Sequence, residues 1–493
     1  MLVSKFSKSV FRCLAAIILL SATQAGAHPG HEHERDILTD RDLSLDQCAF
    51  AGQWPPGVGQ QFVPQAPDSE LQSIMSQIDP TRIQAIIEKL VSFGTRHTES
   101  SQTDPVRGIG AARDWIAEQM RGFAEASEGR MVITTPSYIQ QPVPDQIVNT
   151  TNITNILATI KGSVDPNRVY IVSGHYDSRV TNLLNNIDDA PGADDDGSGV
   201  AISMELARIL ATHIPRATVV LAAVAGEEQG LFGSTFMAQQ FFEAGADVQG
   251  MFTNDIVGSS TADDGTKDPN DIRLFAQGIP STDSPALASE TVSIGGENDS
   301  PARELGRFVA EVGTNDDTEM TVRVIYRADR FLRGGDHEPF LALGFPAARF
   351  TEPNENFAHQ HQDVRVVDGV QFGDLTEFVD FEFTARAGRV NAAALWSLAQ
   401  APGTPRNVTI DISVLTNNST LTWVAGSDVD DDNLAGFEIV WRSTIEPFWT
   451  HTIPVGLVNK MTIQLSKDNA IMAVRAVGKN GFKSPAAYPF PTG

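Results

Sequence analysis

Three apolar runs in this chain stop abruptly on residues that cannot be buried without partners. Val169–Val172 is β-branched, is closed by Ser173-Gly174, and delivers His175 and Asp177. Ala217–Ala225 (ATVVLAAVA) runs into Gly226 and the pair Glu227-Glu228, and Gly250–Asn254 runs into Asp255. Short apolar runs bounded by turn residues read as buried strands. Helical patterns stand between them. Val200, Ile202, Met204, Leu206, Ile209 and Leu210 follow a loop that ends in Asp194-Asp195-Asp196-Gly197-Ser198-Gly199, and TFMAQQFFEA follows the second run. Strand alternating with helix implies an α/β domain with a mixed, mainly parallel sheet between helices. Such a sheet gathers its ligands beyond the carboxyl ends of its strands, where His175, Glu227-Glu228 and Asp255 all fall.

Helical periodicity begins at Asp79 with Ile83, Ile86, Ile87, Leu90 and Val91, and a second helix covers Ala111–Ala124. Met131–Thr134, Asn155–Ile160 and Phe345–Phe350 (FPAARF) read as further strands, and Phe372–Leu398 as a helical tail. The segment 259–317 is polar, with one apolar strand (IRLFAQ). Residues 28–78, rich in Pro, Gly, Gln and Asp, read as a partly disordered lead-in, and 79–401 as the α/β domain. Pro402–Pro405 (PGTP) marks a linker. Within 402–493, Asn407–Ile412, Ser419–Val424, Gly436–Arg442, His451–Pro454, Lys460–Leu465 and Met472–Val477 alternate like the strands of an all-β sandwich, with Trp423 pointing inward.

Lys5, Lys8 and Arg12 precede an apolar run, Cys13–Ala22, and Ala25-Gly26-Ala27 supplies small residues for cleavage; residues 1–27 are expected to be a signal peptide. The product is then exported, either secreted or periplasmic, without stable membrane insertion. Loss of Cys13 leaves Cys48 alone in the mature chain, so stability comes from the core rather than from a disulfide. Formal net charge is −26, or −29 without those three cations, which disfavours nucleic acid and suits inorganic cations.

The candidate ligands are His175, Asp195, Glu228, Asp255 and His359, with Asp177 and Glu227 beside them. Two imidazoles and three carboxylates without sulfur suit zinc, with manganese or cobalt as alternatives. Five groups exceed one open catalytic zinc and suit two ions about 3.5–4 Å apart that share a carboxylate. Asp195, in a tight glycine-flanked loop, is the candidate bridge, and Asp177 can orient the His175 ring. Of the adjacent pair Glu227-Glu228, one carboxylate can bind metal while its neighbour acts as general base.

GHYDS, PGADDDGSG, AGEEQGLFGS, the isolated Asp255, GGDHEPF and HQHQD together resemble the zinc-dependent exopeptidases of the bacterial leucyl aminopeptidase type, MH-clan metallopeptidases. Glutamate carboxypeptidase and glutaminyl cyclase share that superfamily. The resemblance covers about residues 80 to 400. It implies a dizinc aminopeptidase in which His175 and Asp255 hold one zinc, Glu228 and His359 the other, Asp195 bridges, and Glu227 is the base acting on a metal-bridged water. The family spacing selects His359 over His361. Gly335 stands where the relatives carry Ser, and Leu332 where some carry Tyr. The implied substrates are peptides or small amides. Another amide hydrolase or cyclase on this scaffold, or a metal-stabilised binding protein, are the alternatives. The C-terminal region resembles a fibronectin type III module, a candidate binder of protein or polysaccharide.

Overall fold

A computed structural model describes Pro55 and residues 57–493. The expected signal peptide, His28, His31 and His33 of the lead-in, and Cys48 lie outside the described residues. Eight strands form the central sheet: β1 (Met131–Thr134), β2 (Ile156–Ile160), β3 (Asp165–His175), β4 (Ala217–Val224), β5 (Asp247–Asn254), β6 (Asp271–Ala276), β7 (Thr321–Ile325) and β8 (Ala347–Thr351). Their order is β7-β6-β8-β5-β3-β4-β2-β1. β3 runs parallel to both β4 and β5, and β5 parallel to β8. β6 and β7 are parallel to each other but join β8 antiparallel, and β2 and β1 close the other edge antiparallel. The sheet is mixed and mainly parallel.

Both faces are covered, and for that reason β3 to β5 read as unbroken apolar runs rather than alternating ones. Tyr170 and Val172 of β3 pack with Ile87, Ile202 and Leu395, whereas Val169 and Ile171 pack with Met237 and Phe340. The first face carries α1 (Ser69–Ser76), α2 (Pro80–Val91), α3 (Ile109–Glu125) and α4 (Gly197–Leu210); the second carries α5 (Phe232–Glu243). Two helices, α6 (Pro285–Ser293) and α7 (Pro301–Gly313), arise within the segment expected to be polar, and α8 (Phe381–Gln400) crosses the first face. Gly174 and Gly199 let the end of β3 touch the start of α4: a Cβ on Gly174 would sit 2.4 Å from backbone atoms of Gly199 and Val200.

Three elements differ from the sequence reading. The stretch 372–380 is not α-helical, and α8 begins at Phe381, where Asp380 accepts from the Phe383 N–H at 2.9 Å. α1 falls inside the lead-in, capped by Asp68, and buries Leu71, Ile74 and Met75. α7 is amphipathic, with Leu305, Phe308, Val309 and Val312 in the core. Its charged Arg303, Glu304 and Arg307 are buried too, Glu304 and Arg307 against the C-terminal sandwich, so composition disguised it.

That sandwich is two four-stranded sheets. Gln60–Gln61, His451–Gly456, Leu434–Ser443 and Ala470–Gly478 make one; Lys460–Ile463, Ser419–Val424, Arg406–Asp411 and Phe490–Thr492 make the other. Between them lie Leu421, Trp423, Ile439, Trp441 and Val474. The described residues belong to one compact unit, Trp54–Gly493. Pro402 and Gly403 are buried, and the Thr404 N–H donates to Gln249 Oε1 at 3.1 Å, so the PGTP stretch lies against the α/β domain.

The interface is built on buried charge. Arg442 of the sandwich holds Asp299 through Nη2 at 2.7 and 2.9 Å, Arg307 Nε donates to Pro447 O at 2.7 Å, and Trp449 Nε1 donates to Glu304 at 3.0 Å. Removing one partner of a buried ion pair strands the other and costs about 3–5 kcal/mol. Asp299 keeps Arg307 Nη1 at 3.0 Å, so Arg442→Met should lower the unfolding free energy in urea denaturation by less than that full amount, about 1–3 kcal/mol. A loss below about 1 kcal/mol would show instead that the pair is an exposed-type contact of little worth.

Candidate metal centre

The carboxyl ends of β3, β4 and β5, with the loop after β8, bring His175, Asp195, Glu228 and Asp255 together. His175 is the last residue of β3. Its Nδ1 lies 3.2 Å from Asp177 O, which fixes the ring and leaves Nε2 facing Asp195 Oδ1 at 3.1 Å and Asp255 Oδ2 at 3.8 Å. The other oxygen of Asp195, Oδ2, lies 2.8 Å from His361 Nε2, which is 3.1 Å from Glu228 Oε1. Two three-residue groups thus share one carboxylate: His175, Asp195 and Asp255, and Asp195, Glu228 and His361. All but His361 are almost completely buried.

The family spacing pointed to His359, but the imidazole that lies beside Asp195 and Glu228 is that of His361. The N–H groups of His359 and Gln360 both donate to Asn356 O, at 3.1 and 3.2 Å, closing a turn that His361 leaves with φ of 55°. That turn aims His361 at Asp195 and Glu228. The His359 ring instead stacks on Phe378 with centroids 3.6 Å apart.

Asp177 does more than steady His175. Its carboxylate accepts from the N–H groups of Glu227 and Glu228 at 3.2 and 3.1 Å, and Thr98 Oγ1 is 3.3 Å away. It therefore folds the turn after β4 that presents the two glutamates. The three consecutive aspartates divide the remaining work. Asp194 accepts from Gly258 N at 2.7 Å, and Asp196 caps α4 through Gly199 N while accepting from His175 N, both at 2.9 Å. Only Asp195 faces inward, across a cis Asp195–Asp196 bond, and its own N–H is held by Asp374 at 2.7 Å. Neither Asp196 nor Asp374 was singled out in the sequence, and nothing in a DDD run says which carboxylate faces inward. Two buried arginines complete the frame. Arg96 donates to Tyr176 O, Pro191 O and Gly192 O at 2.7, 2.5 and 2.8 Å, and Arg349 Nη1 sits 2.7 Å from Asp255 Oδ2. Arg349 did leave a trace, as the one charge inside an apolar strand.

The titration of these groups records how tightly they are packed. Burial works to lower His361, but Glu228 and Asp195 outweigh it and hold it up at about 10. Burial works to raise Asp255 and Asp195, yet Arg349 holds the first below its ordinary range and the two histidines hold the second there. Burial raises Glu227 well above the usual carboxylate range despite His175, with Asp255, Asp336 and Glu228 adding to the shift. His337 of GGDHEPF is fully buried with Nε2 2.8 Å from Ala328 O, and burial lowers it to about 4, so it is a neutral structural group.

Residues 155–366 match peptidase family M28. A probable zinc metalloprotease of Pyrenophora teres f. teres is 57% identical over 468 residues, which is 92% of this chain and 96% of the relative. The chain belongs to peptidase family M28. A second relative, a probable zinc metalloprotease of Pyricularia oryzae, is 56% identical over 456 residues, 91% of this chain and 90% of its own length. Among solved structures, the LapA aminopeptidase of Legionella pneumophila aligns at a TM-score of 0.47 and 16% identity, over 69% of this chain and 77% of that one.

The two histidines of the M28 loop give a direct contrast. His361→Ala should lower bound zinc, measured by elemental analysis after gel filtration, whereas His359→Ala should leave it near the wild-type level. The opposite ranking would restore the family spacing over the observed geometry.

Proposed function

We propose that this chain is an exported two-zinc exopeptidase that releases the N-terminal residue of peptides. The observation that carries the reading is Asp195, which offers Oδ1 to the His175 side and Oδ2 to the His361 side. A carboxylate with one oxygen in each of two ligand groups is the arrangement that a pair of ions requires. The donor set fits zinc: two imidazoles, three carboxylates and no sulfur. His175 Nε2 and Glu228 Oε1 are buried and make no well-aligned hydrogen bond despite near neighbours. Atoms that converge on common points rather than on each other suit a cation better than an ion-pair network. The M28 relatives are zinc metalloproteases by name, which agrees.

In this reading His175, Asp195 and Asp255 hold one ion, and Asp195, Glu228 and His361 the other. The ions would polarise the scissile carbonyl and activate the attacking water. Glu227, left free of the ligand groups but held beside them by Asp177, takes the proton from that water and returns it to the leaving amine. Removal of the N-terminal residue rests on the resemblance of the motifs to aminopeptidases. Export rests on the leader at residues 1–27, and the sandwich is read as a fibronectin type III-like module.

Glu227 and Glu228 are adjacent and chemically identical, yet should fail differently. Glu227→Gln should keep both ions and near-normal KM while losing roughly 10²–10⁴ in kcat on aminoacyl chromogenic substrates. Glu228→Gln should lose one ion, with activity partly recovered in excess zinc. Wild-type protein dialysed against a chelator should be inactive until zinc returns. Full activity without metal, or undiminished turnover in both variants, would refute the assignment. Hydrolysis of blocked but not free N-termini would exclude the aminopeptidase mode alone.

A further inference from the structure

Arg349 is an odd residue to find in the interior of β8. It is fully buried, and an unpaired guanidinium there would be prohibitively costly. Two of its contacts fall on one residue, Asp255. Nη1 lies 2.7 Å from Asp255 Oδ2, the oxygen that faces His175, and Nη2 donates to the backbone carbonyl of the same aspartate at 3.3 Å. Nη1 also donates to Gly334 O at 2.9 Å, with Asp329 Oδ2 at 3.7 Å. Gripping both the carboxylate and the main-chain oxygen of Asp255 fixes the side chain relative to its own backbone. Register makes this grip available: Arg349 pairs with Thr253 across β8 and β5, and Asp255 lies just beyond the end of β5.

The neighbour that permits it is Gly335, where the resembled family carries Ser. Gly335 is not among the glycines with positive φ, so its backbone does not demand glycine. Space does. A Cβ at 335 would stand 2.5 Å from Arg349 Nη1, so the guanidinium would have to move off its present contacts.

We propose that Arg349 is the positioning residue for Asp255, and that Gly335 is matched to it, so that the two set the affinity of the His175 side of the centre for its ion. This rests on the reading of Asp255 as a ligand. A partner behind a ligand typically contributes about 10–100-fold in metal affinity. The inference is asymmetric, because no comparable buried arginine grips Glu228; Arg179, partly exposed, is 3.9 Å from it.

The test is stepwise titration of metal-free full-length protein with Co2+ and with Zn2+, following the cobalt absorption bands and the bound stoichiometry. Arg349→Met should weaken one of two binding steps by about 10–100-fold and leave the other unchanged. Gly335→Ala, which adds a single carbon, should shift the same step in the same direction, and Arg349→Lys should fall between, since one ammonium cannot hold both oxygens of Asp255. Should Arg349→Met fail to fold, Gly335→Ala still decides the matter. Wild-type affinity at both steps in Gly335→Ala and in whichever Arg349 variants fold would overturn the proposal while leaving the two-ion reading intact. Wild-type protein that binds no metal would overturn that reading and this inference with it.

Discussion

Everything at the site depends on the Asp194–Asp196 loop being folded back against the end of β3. The loop carries the shared carboxylate, and no apolar side chain in it could hold it there. It is held by hydrogen bonds from three directions: Arg96 grips the carbonyls of Pro191 and Gly192 as well as that of Tyr176, Asp374 accepts the N–H groups of Asp194 and Asp195, and Asp196 accepts the N–H of His175. Each is a charge-assisted contact to backbone in a buried place, the kind worth more than an ordinary neutral hydrogen bond. The loop and the strand end therefore move as one piece.

Concentrating carboxylates in the interior is unfavourable unless each has donors or a cation. Those that frame the site, Asp177, Asp196 and Asp374, are satisfied by backbone N–H groups. Asp255 has Arg349. Asp195 and Glu228 have His361 within hydrogen-bond distance and, for Glu228, Arg179 at 3.9 Å, so they are the carboxylates that a cation would stabilise most. The same division of labour recurs at the sandwich interface, where Asp299 and Glu304 are buried but fully partnered by Arg307, Arg442 and Trp449. One set of buried acids is structural because its partners are complete. The other is left open to a ligand.

The strands that carry the site were legible because strands buried on both faces spell themselves as unbroken apolar runs, and the residues that break the runs are the chemistry. His175, Glu228 and Asp255 stand at the ends of those runs and fall in the two converging groups. Asp195 could be guessed from its loop, but its selection over Asp194 and Asp196 is made by Asp374, 179 residues away, and no local pattern encodes that. The choice of His361 over His359 lies in a turn on Asn356 O that spacing does not report. α7 was hidden for a related reason: Arg303, Glu304 and Arg307 look like a solvated face yet are buried, the last two against the sandwich. For Asp195 and for α7 the deciding contact comes from a distant part of the chain.

The shared carboxylate is tested most directly by anomalous diffraction at the zinc edge from crystals of the zinc-loaded protein. Two peaks are predicted, one ligated by His175, Asp195 and Asp255, the other by Asp195, Glu228 and His361, with one oxygen of Asp195 on each. A single peak, or a second peak ligated by His359 with Asp195 on one ion only, would contradict it.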